Sequence, residues 1–141
     1  MEFTLEELPK FAQDFVKKLP QDARESAHVV GLKGNLGAGK TAFVQNLAKV
    51  LGVKEVVTSP TFVIAQSYAT NHPVFKKLVH IDAYRLENET KDTIGLADYL
   101  NDPQNLVLIE WPAYLPTKLP EGTAVLEFKV VDEDRRNISY V

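Results

Sequence analysis

A chain of 141 residues, 45% hydrophobic and 25% charged, is long enough to bury the core of one domain spanning 1–141 and leaves no room for a second. A net charge of −3, with only four arginines at Arg24, Arg85, Arg135 and Arg136, makes no electrostatic footprint for nucleic acid, so a nucleic-acid substrate would have to be presented by a partner. The absence of cysteine excludes disulfides, thiolate metal sites and cysteine catalysis, and the acidic start without an apolar signal core makes a cytoplasmic protein away from the membrane the expectation.

In chain order, Leu5, Leu8, Phe11, Ala12, Phe15, Val16 and Leu19 recur at helical spacing behind a Thr4-x-x-Glu7 capping box, which predicts an amphipathic helix over residues 5–19. Pro9 would remove a bond in its second turn, so the helix is alternatively expected to start near Pro9. Pro20 to Ser26 is a polar link into an apolar run, His28 to Leu32, that reads as a buried strand. Then follow Gly34-Asn35-Leu36-Gly37-Ala38-Gly39-Lys40-Thr41 and an apolar-periodic helix from Ala42 to Leu51, stopped by Gly52.

Strand, glycine-rich loop and helix in that order spell a Walker A phosphate-binding loop. A polyphosphate wrapped by backbone N–H groups demands close approach and unusual φ values, which glycine tolerates at Gly34, Gly37 and Gly39. The helix that follows aims its unsatisfied N–H donors at the same anion. Lys40 adds a compact charge for the β and γ phosphates, and Thr41 places a hydroxyl where octahedral Mg²⁺ needs an oxygen ligand. Gly37-x-Gly39-x-x-Ala42 also fits a dinucleotide fingerprint, with Glu55 as the nearest acid for a ribose, but that reading leaves Lys40 and Thr41 without a purpose.

Further along, Glu55 to Val57 is a short β-rich run, and Phe62 to Tyr68 and Val74 to Ile81 are strand patterns joined by a turn at Asn71-His72-Pro73. So short a turn makes those two strands antiparallel, and the sheet mixed. Leu78-Val79-His80-Ile81-Asp82 ends in a carboxylate, as a Walker B strand does, and Leu106-Val107-Leu108-Ile109-Glu110 repeats the pattern, so Asp82 and Glu110 compete for the place beside the metal. His80 reads as structural, a histidine inside a strand being more often hydrogen-bonded than catalytic. Asn88 to Asn101 has a helical pattern weakened by Gly95, and Val125 to Val131 with Asn137 to Val141 predicts a terminal hairpin.

Four pieces together, Gly34 to Thr41, Ser59-Pro60-Thr61-Phe62, His80-Ile81-Asp82-Ala83-Tyr84-Arg85-Leu86 and Leu108-Ile109-Glu110-Trp111-Pro112, closely resemble the bacterial TsaE (YjeE) family of tRNA threonylcarbamoyladenosine biosynthesis. The resemblance implies an α/β, P-loop NTPase-like three-layer fold: a mixed, mostly parallel sheet with helices on both faces and a C-terminal β-hairpin. It implies an ATPase using ATP/ADP and Mg²⁺, working with two proteins of the actin-like superfamily, the threonylcarbamoyl transferase and its paralogue, with tRNA met only indirectly. On this resemblance Gly34, Asn35, Leu36, Gly37, Ala38, Gly39, Lys40 and Thr41 bind the phosphates, and Thr41, Glu110 and Asp82 order the metal. Catalytic weight falls mainly on Glu110, with Asp82, Lys40 and a switch-like Thr61 beside it. Trp111 sits by the site, Arg85 is a transition-state candidate or a surface salt bridge, and Thr4 and Arg136 are adenine-side candidates.

Two rivals remain at this level. A P-loop small-molecule kinase usually carries an arginine-bearing lid, and no arginine lies between Arg85 and Glu110. A nucleotide-dependent switch without useful catalysis would bind nucleotide through the same loop. No arginine is placed in an obvious finger motif, so turnover is expected to be weak alone and faster with partners.

Overall fold

The computed structural model describes residues 1–20, 25–35, 37–58, 65–84, 95–115 and 119–141. One seven-stranded sheet forms the middle layer, built from β1 (Glu2–Thr4), β2 (His28–Lys33), β3 (Ala65–Ala69), β4 (Lys77–Asp82), β5 (Asn105–Glu110), β6 (Ala124–Val130) and β7 (Arg135–Tyr140). The strands lie in the order β1-β7-β6-β2-β5-β4-β3. The β6, β2, β5 and β4 strands run parallel to one another, and the pairs β1·β7, β6·β7 and β3·β4 are antiparallel. The sheet is therefore mixed and mostly parallel in strand direction, with the reversed strands β7 and β3 near its two edges.

Continuous apolar runs become the central strands because both of their faces are covered. In β5 all six residues are buried. On one face, α1 (Leu8–Lys18) and α2 (Lys40–Val50) pack over Val30, Leu32, Leu106, Leu108 and Leu126. Phe43 of α2 is the hub of that layer, with ring centroids 5.7 Å from Phe11, 5.4 Å from Phe15 and 5.5 Å from Phe128. On the other face, α3 (Leu96–Asn101) and the 3-10 turn Pro112–Tyr114 cover Val29, Val79, Ile81, Val107 and Ile109. Among the described residues, no helix is long and apolar enough to cross a membrane.

Several local expectations change. The predicted helix over 5–19 is preceded by a strand: Glu2–Thr4 pairs with β7, a 3-10 turn spans Leu5–Glu7, and α1 begins only at Leu8 with Pro9 in its first turn, where a missing N–H costs nothing. Glu7 accepts from the Thr4 N–H at 2.9 Å and the Thr4 hydroxyl at 3.1 Å, and these hydrogen bonds, the backbone one foremost, hold its carboxyl below the usual carboxylate range. Glu55 to Val57 is not a strand: Val56 is exposed, and the Val57 carbonyl is taken by the Gln45 amide at 2.8 Å. Gly52 does end α2, at φ 79°, with its N–H on the Lys49 carbonyl and the Val53 N–H on that of Ala48, a Schellman closure. Within the predicted 88–101 helix, α3 starts at Leu96 with Gly95 as its N-cap at φ 74°, and residues 88–94 lie outside the described residues.

Candidate nucleotide site

The loop after β2 turns into α2 through residues that only glycine suits. Gly34 has φ 148°, and a Cβ there would stand 2.7 Å from the Phe128 carbonyl oxygen of β6. Gly39, at φ 103°, is the N-cap of α2, and its carbonyl accepts the Phe43 N–H at 2.9 Å. The loop is closed further by the Ala38 N–H donating to the Asn35 carbonyl at 3.1 Å. Asn35 and Gly37 are exposed at the rim, Ala38 is buried beneath it, and Leu36 lies outside the described residues.

Lys40 folds back over this loop. Its ammonium donates to the Gly34 carbonyl at 2.6 Å and lies 3.9 Å from the centroid of the Trp111 ring. Burial lowers its pKa from the ordinary lysine value, while the negative charges of Glu110 and Asp82 work against that shift. The ammonium is thus held by the Gly34 carbonyl and the face of the indole, within the field of the two acids.

The two acids are brought together by register. Asp82 ends β4 and Glu110 ends β5, and the two are paired directly across the parallel ladder. Period-two alternation puts both on the sheet face that carries α2, the face of Leu78, Leu106 and Leu108. Glu110 is buried, and its Oε2 is 3.4 Å from the Thr41 hydroxyl. Asp82 is half-buried and accepts the Tyr84 N–H at 3.1 Å.

Trp111 is, among the described residues, the one non-glycine residue with positive φ, at 58°. Such a conformation costs on the order of 1–3 kcal/mol and persists where the surroundings impose it. Here the Trp111 N–H donates to the Leu32 carbonyl, and Pro112 starts a 3-10 turn immediately after. The result is an indole stacked on Tyr114 (5.6 Å, 8°) and met by the edge of Tyr84 at 5.2 Å.

These groups enclose a cleft of about 310 Å³ lined by Gly37, Gly39, Lys40, Thr41, Asp82, Glu110, Trp111 and Arg136, with Leu5 and Ala42. Arg136 reaches it from β7, donating to the Gly37 carbonyl at 3.3 Å while its other amino group is held by the Asp132 and Arg135 carbonyls. Thr4 does not line this cleft; it borders a pocket of about 10 Å³ behind Arg136, and its hydroxyl is engaged by Glu7. Glu55, the acid a dinucleotide fingerprint would need, is exposed outside any strand. Thr61 and Arg85 lie outside the described residues.

The donor set offers a cation only hard oxygens: the Thr41 hydroxyl and the Asp82 and Glu110 carboxylates. Among the described residues no three His, Cys, Asp or Glu side chains form a closed cage. That combination suits Mg²⁺, which keeps waters and substrate phosphates in its shell and uses one or two carboxylates.

His80 is the residue whose role the sequence did not reveal. It is fully buried and hydrogen-bonded, as expected of a strand histidine, but its Nε2 lies 2.5 Å from Glu110 Oε2. Its position two residues before Asp82 puts it on the same sheet face, a signal that acquires meaning only once β4 and β5 are neighbours.

The family model of the threonylcarbamoyl adenosine biosynthesis protein TsaE matches residues 4–138. Among curated proteins, the chain is 36% identical over 125 residues to the tRNA threonylcarbamoyladenosine biosynthesis protein TsaE of Bacillus subtilis, covering 89% of this chain and 76% of that one. The Treponema pallidum protein of the same name is 35% identical over 82% of each chain, and that of Rickettsia bellii 35% identical over 93% of this chain and 85% of its own. A solved structure, the crystal structure of Bacillus subtilus YdiB, superposes with a TM-score of 0.72 at 25% identity, over 99% of this chain and 83% of that one. With the glycine loop, the paired strand-end acids and the mixed sheet all in one chain that these relatives match nearly end to end, the protein belongs to the TsaE family.

Proposed function

We propose that this chain binds ATP with Mg²⁺ in the cleft between the glycine loop and the ends of β4 and β5, and hydrolyses it to ADP and phosphate. The activity serves threonylcarbamoyladenosine (t6A) modification of tRNA in the cytoplasm. Two partner proteins of the actin-like superfamily, the transferase and its paralogue, carry out the threonylcarbamoyl transfer. One arrangement supports this reading: Gly37, Gly39, Lys40 and Thr41 of the glycine loop line one cleft with Asp82 and Glu110, with Thr41 and Glu110 side by side. The curated relatives named for tRNA threonylcarbamoyladenosine biosynthesis support the pathway. The net charge of −3 supports indirect contact with tRNA.

Hydrolysis in such a cleft rests on positioning and electrostatics more than on covalent chemistry. The backbone N–H groups of the loop and the N-terminus of α2 hold the β and γ phosphates. Lys40 leaves the Gly34 carbonyl and the Trp111 face to meet those oxygens, its stem already lying along the cleft. Thr41 and Asp82 supply oxygens to the metal, and Glu110 orders the attacking water. Mg²⁺, held by these oxygens, would supply positive charge against the charge that develops on the phosphate. Water then adds to the γ phosphorus as the bond to the β-γ bridging oxygen breaks, and ADP departs with that oxygen. Arg136, which lines the cleft, is the adenine-side candidate that this reading keeps; Thr4 does not line it.

Release of ADP by the chain alone and with both partners, together with nucleotide titration, tests this. Slow turnover alone, faster turnover in the complex, and loss of turnover with retained binding in Glu110→Ala are the expected results. An arginine supplied in trans is typically worth about 10³ to 10⁵ in rate. Equal turnover alone and assembled would remove the partner's contribution, and no ADP release in either state would remove the ATPase.

A further inference from the structure

His80 is fully buried in the middle of β4, and its Nε2 meets Oε2 of Glu110, the same oxygen that the Thr41 hydroxyl approaches at 3.4 Å. The other ring nitrogen, Nδ1, is buried with no hydrogen-bond partner among the described residues. A histidine serving only the fold would be expected to use both nitrogens on the backbone or on neighbouring side chains, since a buried unsatisfied polar atom costs about 1–3 kcal/mol. Among the described residues the single polar engagement of the ring is with one carboxylate, and that carboxylate lines the cleft.

We infer that His80 is a positioning residue for Glu110: its Nε2–H donates to Oε2 and clamps the carboxylate between β4 and the first turn of α2, leaving Oε1 for the water and metal side of the cleft. This rests on the ATPase reading above and adds to it the group that sets the orientation of its principal acid. The geometry explains why a clamp is needed. Glu110 is the last residue of a fully buried strand, and the next residue, Trp111, turns sharply at φ 58°. Nothing else among the described residues except Thr41 makes a side-chain hydrogen bond to that carboxylate. Without His80 the carboxylate would be drawn toward the Lys40 ammonium, the cation whose pKa it already influences.

The test compares His80→Met, which keeps volume and removes the donor, with His80→Gln, which keeps an N–H at similar reach. Both are measured in the chain assembled with its partners, for kcat, KM for ATP, affinity for a fluorescent ATP analogue, and thermal unfolding. His80→Met is expected to lower kcat about 10- to 100-fold, the scale of an Ångström-sized misplacement, with nucleotide affinity within about 2-fold of the parent. His80→Gln should recover most of that loss, and His80→Met should add little in a Glu110→Gln background, because the two residues act as a unit. A folded His80→Met protein with parental kcat overturns the inference while leaving the ATPase intact. So does equal loss of kcat and affinity in both variants, which would mark His80 as a support of the fold. If the parent complex itself releases no ADP, the ATPase reading fails and the clamp falls with it.

Discussion

At the scale of single residues, the site is a set of groups held in mutual tension. Lys40 is buried, which disfavours its charge, yet it faces two acids that favour it. Because the folded state lowers its pKa, the folded chain releases that proton before the unfolded chain does. Stability relative to Lys40→Met should therefore rise as pH climbs through the window between the lowered pKa and the ordinary lysine value, and should level off above it. On the proposed role of the ammonium in holding ATP, affinity should fall across the same window. Parallel thermal melts and nucleotide titrations of the two proteins check both signs, and a flat stability difference across alkaline pH would contradict them. At neutral pH, Lys40→Met should weaken Mg-ATP binding by about 10- to 100-fold, the worth of one hydrogen bond to a charged group.

At the scale of elements, the loop and the helix behind it depend on each other. Gly34 touches β6 so closely that alanine would bring a Cβ to 2.7 Å from the Phe128 carbonyl at a φ of 148°. Gly34→Ala is expected to cost about 1–3 kcal/mol of stability from backbone strain, and to weaken nucleotide binding because the loop must shift. Denaturant unfolding with and without ATP separates the two effects; an unchanged midpoint would mean that β6 yields at no cost. Phe43 links α2 to α1 and β6 through three ring contacts, so Phe43→Ala should cost about 3–5 kcal/mol and loosen the helix whose N-terminus faces the cleft. Urea titration followed by circular dichroism reads that loss directly.

At the scale of the whole molecule, β2 lies between β5 and β6, so the loop leaving it sits where neighbours from both sides contribute: Glu110 from β5, Asp82 one strand further, and Arg136 through β7. On the proposed function, a ligand in this cleft would engage elements from Lys40 to Arg136 and should stabilise the protein as one unit. With ATP and Mg²⁺ at about 100 times Kd, the gain should be about 2.7 kcal/mol, seen as an upward shift in Tm. Chelation with EDTA should remove most of that shift, since Thr41, Asp82 and Glu110 offer oxygens to a cation rather than to the phosphates. A shift untouched by EDTA would mean that nucleotide alone fills the cleft.

The glycine loop with its flanking strand and helix, the two carboxylate-ended strands, the antiparallel pairing of β3 with β4 and the terminal hairpin were all legible in residue order, because each rests on local chemistry: backbone freedom, period-two or helical patterning, and turn composition. The β3–β4 connection is longer than the turn composition suggested, with β4 starting at Lys77 rather than Val74. The strand Glu2–Thr4 was not, because three residues become a strand only through β7, more than 130 positions away. Nor was the coil at Glu55 to Val57, where β-prone residues find no strand to pair with and a glutamine side chain takes the carbonyl instead. The sequence by itself determined the glycine loop and the two strand-end acids on which the proposed phosphate and metal chemistry rests. Tertiary structure alone decided that Asp82 and Glu110 stand side by side, that Trp111 covers Lys40 and that His80 grips Glu110, because those relations depend on which strands become neighbours and in what register.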